Sequence, residues 1–194
     1  NSYSSLLGVG LQNYQLPPGY AVISSNLSIS TSSTTGSPFD IGIWELTESE
    51  WNEQEVTWLE SSSGVPWNSP GASGNADRVG LLTDFTATSS CCSQLNVTSA
   101  VQNSMRDGKG VSFLFELMPS ASTSSVAIFN SPLNQNPQLQ PQLEIIFTLG
   151  SSQKPQPPNA LNPSNGEWIY NNNSTLESIS VTNLSWVHNN PMPV

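Results

Sequence analysis

Six carboxylates, Glu45, Glu48, Glu50, Glu53, Glu55 and Glu60, fall within sixteen consecutive positions. Clustered acids can serve two chemistries. Glycoside cleavage needs one carboxyl kept protonated and a second kept ionised across a cleft. Calcium needs several oxygen ligands converging from a loop. Glu48, Glu50, Glu53 and Glu55 crowd into one short turn, a poor way to flank a sugar, so the chain is expected not to be an enzyme. For calcium, the one cofactor the acids allow, the candidate ligands are Asp40, Asp77 and Asp84 beside these glutamates.

The remaining reactive residues are few. His188 is the only histidine, with no cysteine or second histidine near it, so neither a catalytic triad nor a histidine metal site is expected. Cys91 and Cys92 are adjacent and too few for a disulfide framework. Neighbouring Cα atoms lie closer than a disulfide prefers, which leaves two small loop residues, a strained vicinal disulfide, or bonds between chains. GVGLQN and GKG lack the spacing and lysine of a phosphate loop. Asn-X-Ser/Thr sequons begin at Asn26, Asn96, Asn172, Asn173 and Asn183 and are the glycosylation candidates.

Charge narrows the partners. Four basic residues against fourteen acids give a net charge of −10, which repels phosphate backbones and anionic membranes and argues against nucleic acid. Only 9% of residues are charged, far below the usual quarter. Ser, Thr, Asn and Gln hydrate the surface instead, a balance that points to an extracellular or cell-surface setting. No apolar run approaches the length of a membrane span, so no direct membrane insertion is expected. NSYSSLLGVG lacks the features of a signal peptide, and any export signal is expected to have been removed.

These residues must be held by strands. Short apolar runs at Ser5 to Leu11, Tyr20 to Ser30, Asp40 to Leu46, Val56 to Leu59, Val111 to Leu117, Val126 to Phe129 and Leu143 to Leu149 alternate with Gly-, Pro- and Ser-rich breaks such as STSSTTGSP. Helical signals occur at Thr98 to Arg106, with a second helical turn expected around Ser49 to Asn52. Many short strands and little helix predict an all-β fold, a jelly-roll-like β-sandwich over residues 1–149. A Pro-rich linker follows at 150–163, and a segment at 164–194 is too short for its own sandwich. In it, Ile179, Val181, Leu184 and Trp186 read as strand positions.

Four of the six tryptophans, Trp44, Trp51, Trp58 and Trp67, stand among the clustered acids. They predict an aromatic corner of the core, or a flat platform for sugar rings.

Trp51-Asn52-Glu53, Val56-Thr57-Trp58, Trp67 and the pair Gly71-Ala72 resemble the DNRLRE family of extracellular domains, which overlaps modules of some alginate lyases classed as carbohydrate-binding. LPPGYAVISSNLSI, LNVTSAVQ and PQLEIIF look like its second strand, helix entry and closing strand, so the resemblance covers roughly residues 4 to 149. It implies a non-catalytic β-sandwich. Asn96 stands where the family usually has Asp, which weakens any calcium site carried over. The family's opening strand has no counterpart before Ser5, so an unpaired edge is expected there, open to a strand from another chain. The C-terminal piece resembles the first strands of a fibronectin type III-like domain, with Trp186 in place of the core tryptophan, and would be incomplete or a donor strand.

The expected function is a structural or adhesive cell-surface or filament module that polymerises by strand donation. Its partners would be its own copies or neighbouring surface domains. The alternative is a carbohydrate-binding module of a secreted polysaccharide-degrading enzyme, with polysaccharide as partner.

Overall fold

The computed structural model describes residues 4–36, 38–47, 51–88, 93–119, 121 and 124–149, and the backbone of two further strands at 177–181 and 184–189. In chain order the elements are β1 (Ser4–Val9), β2 (Tyr20–Ile29), β3 (Thr31–Thr35), β4 (Phe39–Leu46), the short β5 (Glu60–Ser62) and β6 (Val65–Pro66), β7 (Arg78–Ala87), β8 (Ser93–Asn96), α1 (Thr98–Asp107), β9 (Val111–Leu117), β10 (Val126–Phe129), β11 (Gln142–Leu149), β12 (Glu177–Val181) and β13 (Leu184–Asn189). The fold is all-β, and its strands pair antiparallel.

Two sheets face each other. The first runs β13-β1-β9-β4-β7 and the second β12-β11-β2-β8, with β3 and β10 forming a separate ribbon. Alternation along each strand sends one set of side chains between the sheets. Leu7 and Val9 from β1, Ile41 and Ile43 from β4, and Phe113 and Phe115 from β9 meet Leu27 and Ile29 from β2, Leu95 from β8, and Leu143 and Ile145 from β11. Helix α1 crosses from the second sheet to the first, burying Ala100 and Val101, and stops at Gly108 in the left-handed conformation that favours glycine.

The sequence places β1, β2, β4, β9, β10, β11 and α1 within one or two residues. It errs at Val56 to Leu59, which is no strand. The N–H groups of Glu55 and Val56 turn back to Asn52 O at 3.0 and 2.8 Å, and the Thr57 hydroxyl accepts from Leu59 and Glu60. Local acceptors hold the backbone there and leave nothing for a ladder. The STSSTTGSP stretch, expected as loop, supplies β3. Strand β7 was not anticipated, because its register against β4 shifts between Ile43 and Trp44 and again between Glu45 and Leu46. Such bulges break the two-residue period. Of the turn expected at Ser49 to Asn52, residues 49 and 50 lie outside the described residues.

Candidate functional site: tryptophan layer, carboxylates and sheet edges

The outer face of the first sheet is apolar, and the 51–77 loop covers it. Leu6, Leu46 and Leu114 point outward from β1, β4 and β9 and pack with Val56, Trp67 and Ala72, flanked by Trp44 and Trp51. Trp67 is buried and its Nε1–H donates to Thr57 O at 3.1 Å. Trp51 is half-buried and donates from Nε1 to Ser112 Oγ at 2.9 Å. The Trp58 ring lies over Gly71, whose N–H donates to Trp58 O at 2.6 Å. Trp44 carries the Arg78 guanidinium 4.7 Å above its ring. Each tryptophan is spent on packing or fastening the loop, and the four present no open row of rings.

The carboxylates take separate roles. Asp77 is buried, with Oδ1 accepting from Asn68 N–H at 2.7 Å and Oδ2 from Ser69 and Gly74 N–H at 3.0 Å each. Three donors already surround the oxygens a cation would use, so Asp77 works as a loop organiser. Asp40 accepts from the Thr86 hydroxyl at 2.7 Å. Asp84 is exposed two positions along β7 from Thr86. Among the described residues no three acids, histidines or cysteines converge as a metal cage. Glu53 and Glu55 are exposed, and Glu55 caps Ser63 N–H at 3.2 Å. Glu48 and Glu50 lie outside the described residues, as do Cys91, Cys92, Asn172, Asn173 and Asn183. Burial pushes the Glu45 carboxyl above its ordinary value, and a hydrogen bond with Asn103 pulls the other way.

Sequence reading missed Arg78, which joins three elements. Its Nε donates to Ala72 O at 2.7 Å, its Nη1 pairs with Glu116 Oε2 at 2.8 Å, and its plane covers Trp44. One of only four basic residues in so uncharged a chain, it was the available signal.

The sheet edges carry the most distinctive geometry. β13 adds to β1 over six positions, Ser4↔Asn189 to Val9↔Leu184. β12 adds to β11 over five, Leu143↔Val181 to Phe147↔Glu177. Two residues separate β12 from β13, yet the strands extend different sheets. The edge expected to stand open at β1 is therefore paired, and by the segment expected to be either incomplete or a donor strand. His188 falls opposite Ser5 and Trp186 opposite Leu7 in that register.

Two sequons lie on the second sheet. Asn26 of β2 and Asn96 of β8 are direct cross-strand partners. Among the described residues no helix is long and apolar enough to cross a membrane. The chain matches no family model and no curated protein.

Proposed function

We propose that the chain is a non-catalytic structural or adhesive module of a cell surface or extracellular filament, joined to its own copies by strand donation. The observation that supports this most is a mismatch of length. β11 and β12 are antiparallel neighbours, which a turn of about two residues can join, yet residues 150–176 lie between them. Those 27 residues span roughly 30 Å as a flexible coil and toward 80 Å extended. Such a tether lets β12 and β13 fill the β11 and β1 edges of another copy with the pairing they have here, as in domain swapping. Main-chain hydrogen bonds would give the affinity and the alternating side chains the register. The low charge and the amide- and hydroxyl-rich surface suit an extracellular setting.

The test is native sizing after refolding at increasing protein concentration. A ladder of oligomers is expected, which an excess of peptide 177–194 terminates and Ile179→Pro with Val187→Pro abolishes, because proline cannot complete the ladder. One monomeric size at every concentration overturns the reading.

One observation favours carbohydrate binding as a second reading. A groove of about 710 Å³ beside α1 is lined by Tyr14, Tyr20, Gln12, Gln15, Gln102 and Arg106. Tyr20 is braced edge-on against Phe147 at 5.6 Å, while Tyr14 is exposed. Aromatic faces beside amides suit sugar rings and hydroxyls. Titration with neutral and acidic oligosaccharides should then give binding that Tyr14→Ala removes, and no binding by either class would exclude it.

A further inference from the structure

We propose that Asn96 is an N-glycosylation site whose glycan guards the β8 edge of the second sheet. Three features single it out. Asn96 is exposed at the end of β8, whereas Asn26 is half-buried on β2 between Asn96 and Glu144. Directly opposed Cβ atoms in an antiparallel pair are about 5 Å apart, so two sugars cannot leave from both partners. The Asn96 Oδ1 accepts from Thr98 N–H at 3.0 Å in the turn that leads into α1. That turn uses only the oxygen, and aspartate would serve it equally.

The amide nitrogen is what glycosylation consumes. Asn96 Nδ2 forms a bond to the anomeric carbon of a sugar carried on a lipid phosphate. The bond from that carbon to the phosphate oxygen breaks, its electron pair leaves with the carrier, and one Nδ2 proton passes to base. Nδ2 keeps its other hydrogen and Oδ1 is untouched, so the turn survives the modification.

Timing follows from Thr98. Its hydroxyl accepts from Ser25 N–H at 2.9 Å and lies 3.4 Å from Ser25 O as a donor. A transferase that reads this hydroxyl reaches the sequon before β2, β8 and α1 have come together.

The edge supplies the role. β12 covers the β11 side of the second sheet, and among the described residues β8 is outermost on the other side. An uncovered edge invites pairing with any strand. A sugar at the last residue of β8 blocks that approach while leaving the β1 and β11 edges untouched, which keeps strand addition to the second sheet on its β11 side.

The inference shares with strand donation only passage through a secretory route, and the experiment supplies that route. The full chain is secreted from yeast, and its peptides are released from sugar by an amidase in heavy-oxygen water, which leaves a marked Asp wherever glycan was attached. The folded fraction should carry the mark at 96 and unmodified Asn at 26. Bare Asn96, or sugar on Asn26 in folded protein, overturns the assignment. Asn96→Asp keeps the turn and removes the glycan. In the Ile179→Pro, Val187→Pro chain, where donated strands contribute nothing, this variant should unfold at the same temperature yet show at least twice the average mass by light scattering. Equal masses would overturn the guarding role.

Discussion

The outer faces of the two sheets have opposite fates. On the first, Leu6, Leu46 and Leu114 point outward, and the 51–77 loop answers them with Val56, Trp67 and Ala72. On the second, Ser24, Asn26 and Ser28 alternate with the buried Ser25, Leu27 and Ile29, and nothing among the described residues covers them. One strand period thus produces a three-layered half and a two-layered half. Stability is spent where a face is apolar, and freedom to change is kept where it is polar.

Substitution can break this contrast, most of all at Trp67. Trp67→Ala empties the centre of the outer layer and should cost about 3–5 kcal/mol in denaturant unfolding. Asp77→Ala leaves three loop N–H groups without their carboxylate and should cost about 2–3 kcal/mol, with faster proteolysis within 51–77. Gly71 sits at φ +74° under the Trp58 ring, where a Cβ would strike the indole. Gly71→Ala should cost about 1–3 kcal/mol and shift the Trp58 fluorescence.

Glu45 gives a smaller, pH-dependent effect. Its folded form holds the proton more tightly than the unfolded chain, so its contribution is fully present below 4.5 and is lost as pH climbs above that value. Glu45→Gln should flatten that part of the stability profile, and an unchanged slope would show that Glu45 ionises freely. At the polar face, Ser24→Val should stay within about 0.5 kcal/mol of the parent. A larger loss would mean that this face is covered after all.

The sandwich was legible because its core strands keep the two-residue period. SNLSI at 25–29 and QLEIIF show it directly, and Thr98 to Arg106 carries helical spacing closed by glycine. Legibility failed where long-range partners override local pattern. β7 is bulged twice, so Leu82, Phe85 and Ala87 reach inward at uneven intervals. β3 is polar on both sides, and only its pairing with β10 makes it a strand. The tryptophan motif announced an aromatic corner but not that it lies outside the sandwich, since a linear pattern does not say which face of a sheet a loop will cover. Asp77 looked like a ligand for a cation because sequence shows the carboxylate and not the three amides aimed at it.

The residues 150–176 between adjacent strands also set a threshold. A connector long enough to reach its own edges holds its own strands there at a high effective concentration. A dilute chain therefore closes on itself, and exchange between copies begins to compete only when neighbours are crowded to a similar density. If copies exchange strands as proposed, chains displayed side by side on a surface would meet that condition and chains released from it would not, so the length of one connector would decide where linkage can start.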